Sequence, residues 1–174
     1  MKVVARGCLA GVLVLGLSGA LQAQESKSSS LVTQLTAALE AGKLDCVAAK
    51  DPSKPDVFIA ALYFPGSQLL VVSAKYAQPD LLVVRLGKKE YRDVYVDLQS
   101  ASAGSKVFVQ DASADGLKPK TYDSFDLDAK TVSFDGDWRK QKIASEDDYQ
   151  KALADAEEQY CRLLTLLLAR LKTP

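Results

Sequence analysis

The sequence contains no histidine. That absence excludes Ser-His-Asp and Cys-His catalysis, and it removes the usual ligands of zinc and haem. Acid–base chemistry would fall to carboxylates, lysine or tyrosine. No complete catalytic or metal-ligating motif is present among them, so neither a catalytic nor a metal residue is assigned. Net charge is missing too, with 22 Lys and Arg against 22 Asp and Glu. A neutral chain has no long-range field for nucleic acid or anionic lipid. Cysteine is scarce, at three. None of the three stands in a Cys-x-x-Cys pair, which disfavours a thiol oxidoreductase.

Long hydrophobic runs are also lacking, and the one near the start is instructive. Lys2 and Arg6 precede an apolar stretch over residues 8–21, followed by the small-residue sites Ser18-Gly19-Ala20 and Leu21-Gln22-Ala23. This is the pattern of a secretion signal over residues 1–23. It is shorter than the about 20 apolar residues a membrane span requires, so no stable span is expected after cleavage. Cys8 opens the apolar run, whereas a lipidated cysteine would close it. The expectation is a periplasmic or secreted domain over residues 31–174, after a flexible start at 24–30. The 20 basic and 22 acidic residues of the chain after cleavage suit a near-neutral soluble domain with one core.

Helix comes first in that domain. Ser28, Ser29 and Ser30 offer caps, Leu31, Leu35 and Leu39 recur every fourth residue, and Gly42 is a natural stop. Two prolines in the loop at 50–55 exclude helix there. Residues 56–64 (DVFIAALYF) are almost wholly apolar, which predicts a strand buried on both faces. Pro65-Gly66 supplies a turn, and residues 68–74 return as the partner strand of a hairpin. Pro79-Asp80 opens a short helix ending at Gly87. Residues 91–98 alternate as a strand, and further strands are expected at 106–110, 122–127 and 130–134. A long helix closes the chain. Ser145 and Asp148 form its capping box, and Tyr149, Leu153, Ala156, Tyr160, Leu163, Leu167 and Leu171 form one apolar face. The class is α+β: a mostly antiparallel sheet with an N-terminal helix, a short middle helix and a long C-terminal helix.

The sequence Cys46-Val47-Ala48-Ala49, the hairpin over 57–74, and the turn Ser73-Ala74-Lys75 before a helix together resemble the FMN-binding split-barrel proteins, the pyridoxamine-phosphate-oxidase-like family. The resemblance covers about residues 31–109 and implies a sheet closed as a split β-barrel. It also implies that Ser73 and Lys75 help hold an FMN phosphate in an oxidoreductase; Ala77 and Pro79 depart from the family's hydroxyl-and-lysine run. A phosphate dianion needs several charge-assisted bonds to compete with water.

Five further features compete with plain structural readings. The run Asp111-Ala112-Ser113-Ala114-Asp115-Gly116 matches the first half of a calcium loop, but Tyr122 stands where the closing carboxylate belongs. A polar turn between strands explains it as well. Trp138 and Arg139, in Asp135-Gly136-Asp137-Trp138-Arg139-Lys140, could stack and pair with an anionic ligand. Alternatively, Trp138 plugs the gap between sheet and last helix. The run from Lys88 to Asp93 interleaves charges and reads as solvated surface. Tyr63, Tyr76, Tyr91 and Tyr95 fit a pocket lining or a core rim equally. Finally, Cys46 and Cys161 form an even pair in an exported chain, so a disulfide between them is expected, with two buried thiols as the alternative. The resulting expectation is a non-enzymatic module for a small ligand or protein partner. A flavin-binding split barrel and a weak calcium-binding module are its alternatives.

Overall fold

The computed structural model describes residues 26–75, 107–118, 121–127 and 130–172. The signal segment, the helix expected at 79–87, the charged run at 88–93 and the strand at 91–98 lie outside the described residues. So do Tyr76, Tyr91, Tyr95, Ala77 and Pro79.

Helix α1 spans Lys27–Gly42, with Ser26 in extended conformation as its N-cap. The expected start was two to four residues later. Ser28 belongs inside the helix, on the same buried stripe as Val32, Leu35 and Leu39. Gly42 is its last residue, but the left-handed position falls on Lys43, at φ 54°. Lys43 N–H donates to the Glu40 carbonyl at 3.0 Å, and Leu44 N–H to the Leu39 carbonyl at 2.8 Å. Leu44 folds back so closely that a Cβ on Gly42 would lie 3.2 Å from its Cδ1. Gly42 thus serves the stop by being small, while Lys43 takes the left-handed turn.

Six strands follow: β1 (Cys46–Asp51), β2 (Lys54–Phe64), β3 (Gln68–Lys75), β4 (Val107–Ala112), β5 (Ser124–Leu127) and β6 (Lys130–Ser133). They form one antiparallel sheet in sequence order, with β1 and β6 at its ends. A 3₁₀ turn, Trp138–Lys140, leads to helix α2, Glu146–Lys172. The class is therefore α+β, with helices at both ends of the described chain. Among the described residues, no helix is long and apolar enough to cross a membrane.

Period-two alternation divides β2 and β3 between two apolar clusters. Ile59, Ala61, Tyr63, Leu69 and Val71 join Val32, Leu35 and Leu39 of α1 and Tyr160, Leu164 and Leu167 of α2 in the main core. Phe58, Ala60, Leu62, Leu70, Val72 and Ala74 form a second buried cluster on the opposite face. This is why the sequence of β2 is continuously apolar. Helix α2 buries Tyr149, Ala156, Tyr160, Leu163 and Leu167 of the expected face and adds Leu164 and Leu168, while Leu153 and Leu171 are half-buried beside them. Its start carries the expected cap: Asp148 N–H donates to Ser145 Oγ at 3.1 Å, and the Ser145 hydroxyl donates to Asp148 Oδ2 at 2.7 Å.

The same alternation corrects the disulfide. Cys46 pairs in register with Leu62 and packs on the second cluster, whereas Val47 faces the helices. Cys161 belongs to α2, on the other side of the sheet. Among the described residues no cysteine pair lies at disulfide distance, and the expected Cys46–Cys161 bridge is absent. A one-residue shift in β1 would have changed the face, and sequence spacing alone cannot choose it. Burial, aided by Asp45, raises the Cys46 thiol, and burial with Glu157 raises Cys161. Both thiols are thereby disfavoured as nucleophiles.

Candidate functional site

Two polar arrangements stand out, one internal and one open. The internal one grows from β4, where Val107 and Val109 face the core and alternation carries Asp111 inward after them. Asp111 is fully buried. Its Oδ1 accepts Asp115 N–H at 3.1 Å, and its Oδ2 accepts Gly116 N–H and the Tyr160 hydroxyl, each at 2.9 Å. Asp123, also fully buried, accepts Ala112 N–H at 2.7 Å on one oxygen. Its other oxygen accepts Lys118 N–H at 2.9 Å and the Thr121 hydroxyl at 2.6 Å.

The loop then meets α1. Leu117 N–H donates to Ser28 Oγ at 3.0 Å. The Ser28 N–H and hydroxyl in turn donate to the two Glu157 oxygens at 2.7 and 3.0 Å. A carboxylate from α2 thus satisfies a free donor at the positive end of α1. Gly116, at φ +93°, lies so close that a Cβ there would come within 2.6 Å of Ser29 N.

This geometry reassigns the half calcium loop. Asp111 turns inward to cap its own loop, and Asp115 pairs with Lys118 at 2.5 Å. Glycine at 116 permits close approach of a helix. The calcium reading thereby loses its first ligand to the fold. Burial pushes the Asp111 carboxyl up, as does neighbouring Asp123, against the pull of Tyr160 and the two amides; the result is about 7. Burial likewise raises Asp123, against its hydrogen bonds from Thr121, Lys118 and Ala112.

The open arrangement is a groove of about 650 Å³ between β6 and the start of α2. Lys130, Thr131 and Val132 line one side, Lys140 to Ile143 the next, and Asp148 and Ala152 the helix side. The strand edge here is partly closed. Gln141 Oε1 accepts Ser133 N–H at 3.2 Å, and the Tyr149 hydroxyl donates to the Ser133 carbonyl at 2.8 Å. Both Ser133 groups therefore face outward, and antiparallel alternation turns those of Thr131 the same way, toward the groove.

Trp138 and Arg139 lie on the turn just before Lys140, and neither lines the groove. The Arg139 guanidinium sits 5.8 Å from the Trp138 ring centroid, so the pair stacks on itself. Ser73 is buried on β3, and Lys75 lies 3.8 Å from Asp56 at the surface. The structure brings neither near the β6–α2 groove. Tyr63 donates to Glu40 Oε1 at 2.6 Å, beside a separate cavity of about 280 Å³. At the other edge of the sheet, Arg162 of α2 pairs with buried Asp51 at the end of β1, whose other oxygen accepts Ser53 N–H at 3.0 Å and its hydroxyl at 2.7 Å.

Comparison with protein-family models, curated proteins and solved structures gives no match to this chain.

Proposed function

We propose that this chain is an exported, non-enzymatic binding domain whose ligand seats in the groove between β6 and the start of α2. The observation that carries this reading is the groove itself. Its volume, about 650 Å³, falls within the range of small-molecule sites, roughly 300–1,000 Å³. Its walls combine half-buried apolar side chains with convergent polar ones, the composition such sites favour. The missing histidine supports binding over catalysis. Trp138 and Arg139 flank the groove and serve the ligand by framing the turn that presents Lys140 and Lys142.

A flavin-holding split barrel is the second reading, resting on Ser73 and Lys75. It has less support, since Ser73 is buried and Lys75 already faces an acid. Such a cofactor would supply redox chemistry when bound. The test is to purify the mature chain from the periplasm and measure its native mass beside that of Ala152→Trp, which fills the groove. A co-purified small molecule lost in the variant supports the first reading. A yellow protein with a bound flavin mass overturns it in favour of the second.

A further inference from the structure

The groove's wall chemistry defines a ligand class. Three of its lining residues are lysines (Lys130, Lys140 and Lys142), against the single carboxylate of Asp148. That excess is local, because the chain as a whole has 22 basic and 22 acidic residues. Asp148 is moreover engaged: its Oδ2 accepts the Ser145 hydroxyl at 2.7 Å and its Oδ1 lies 4.0 Å from Lys151. Lys140 has Asp137 at 3.6 Å. Among the described residues, Lys130 and Lys142 have no ion-pair partner.

The floor is different. Val132, Ile143 and Ala152 are half-buried and line the same space. An inorganic anion would leave that apolar surface wet, and an uncharged hydrocarbon would leave the ammonium groups unused. The outward N–H of Thr131 adds one directed donor beside the lysines. The strand edge also limits what can enter. With both Ser133 groups capped by Gln141 and Tyr149, an added peptide strand would find only the Thr131 rung open, too little for strand addition.

We infer that the groove binds a small amphiphilic anion, its apolar body on Val132, Ile143 and Ala152 and its acidic head between Lys130, Lys142 and the Thr131 amide. The inference rests on the reading of the groove as a ligand site and adds the chemistry of the ligand. Exposed charge pairs are individually weak, so affinity comes from head and body together.

Three probes separate the contributions: octanoate carries both parts, 1-octanol only the body, and inorganic phosphate only the charge. Binding is followed by calorimetry and by fluorescence of Trp138, the single tryptophan, which adjoins the groove. Octanoate is expected to bind about tenfold or more tighter than either other probe. Lys130→Glu with Lys142→Glu should reduce its binding about tenfold, and Ile143→Ser should also weaken it. Circular dichroism unchanged from wild type shows that these surface variants remain folded.

Octanol binding as tightly as octanoate, unaffected by the lysine changes, overturns the anionic class and leaves the ligand site standing. Phosphate binding as tightly as octanoate overturns the amphiphilic class in the same way. Sedimentation with phosphatidylglycerol vesicles, but not phosphatidylcholine ones, without octanoate binding would assign the lysines to a membrane surface and overturn the inference. Failure of all three probes, with no molecule displaced by Ala152→Trp, would remove inference and ligand site together.

Discussion

Replacing Tyr160 with Phe removes one hydroxyl from the interior and leaves the ring in place. That hydroxyl, on a fully buried side chain, donates to Asp111 Oδ2 at 2.9 Å. What the bond contributes depends on the charge of Asp111, which burial holds neutral up to about pH 7. Below that pH the loss is that of a neutral hydrogen bond, about 1 kcal/mol. Above it the acceptor is ionised and the loss rises to about 2–3 kcal/mol. The mutational cost should therefore grow by about 1–2 kcal/mol between pH 5.5 and 8.5. Urea unfolding followed by Trp138 fluorescence and far-ultraviolet circular dichroism measures it. With a typical urea slope, the midpoint shift at pH 8.5 is on the order of 1 M. Tyr149→Phe is the control, because its hydroxyl donates at 2.8 Å to the neutral Ser133 carbonyl. Its cost should be about 1 kcal/mol at both pH values. An equal cost for Tyr160→Phe at both pH values, or a larger one at pH 5.5, would refute the argument.

Two of the buried acids, Asp111 and Asp51, give opposite pH signatures. Asp111 is raised to about 7, so its proton-linked stabilisation is complete below about pH 4 and is lost as pH rises through 7. Wild type should lose stability over that window relative to Asp111→Asn, by up to about 4 kcal/mol. Burial alone would raise Asp51, but its bonds from Arg162 and Ser53 and the Arg162 charge hold it below the usual range. That contribution is present above about pH 4 and lost on further acidification. Arg162→Met should cost about 1–3 kcal/mol at pH 7, a figure reduced because Arg162 is half exposed, and little in acid; urea midpoints at pH 7 and 3 check it. Gly116→Ala should cost about 2–4 kcal/mol, since the positive φ and the contact with Ser29 both oppose a Cβ; thermal unfolding reads this directly. Ser28→Ala removes an oxygen shared by Leu117 and Glu157 and should cost about 1–3 kcal/mol in the same assay.

Much of the fold was legible because it rests on periodicity. The unbroken apolar run of β2 announced burial on both faces, and the spacing from Tyr149 to Leu171 drew the core face of α2. The internal polar cluster follows the same periods. Asp111 continues Val107 and Val109 at steps of two, and Ser28 stands four residues before Val32. A polar residue in phase with a buried face is the signal that could have found both. It was overlooked because local motifs, a half calcium loop and a serine cap, explained these residues first. What no period reports is which side of the sheet a strand presents, so Cys46 and Cys161 invited a bridge that the sheet itself prevents. The groove was illegible for a related reason. Lys130, Lys140 and Lys142 meet only because the turn at Trp138–Lys140 brings the chain back over β6. Trp138 and Arg139 drew notice to that stretch, but the lining begins with the next residue.

The contact between Ser28 and Glu157 spans 129 residues of chain, while among the described residues each strand of the sheet pairs with the next one described. Closing so long a loop before other contacts exist is entropically unfavourable, so hairpins precede it along the folding path. The β2–β3 hairpin, joined by a short turn, is expected in the nucleus, and the docking of α1 against the 111–117 loop and α2 after the barrier. Interactions formed that late act on the lifetime of the folded state rather than on the speed of reaching it. Glu157 and Ser28 are thus expected to act as a kinetic latch, so that Ser28→Ala should speed unfolding while leaving the folding rate nearly unchanged, as stopped-flow kinetics would check.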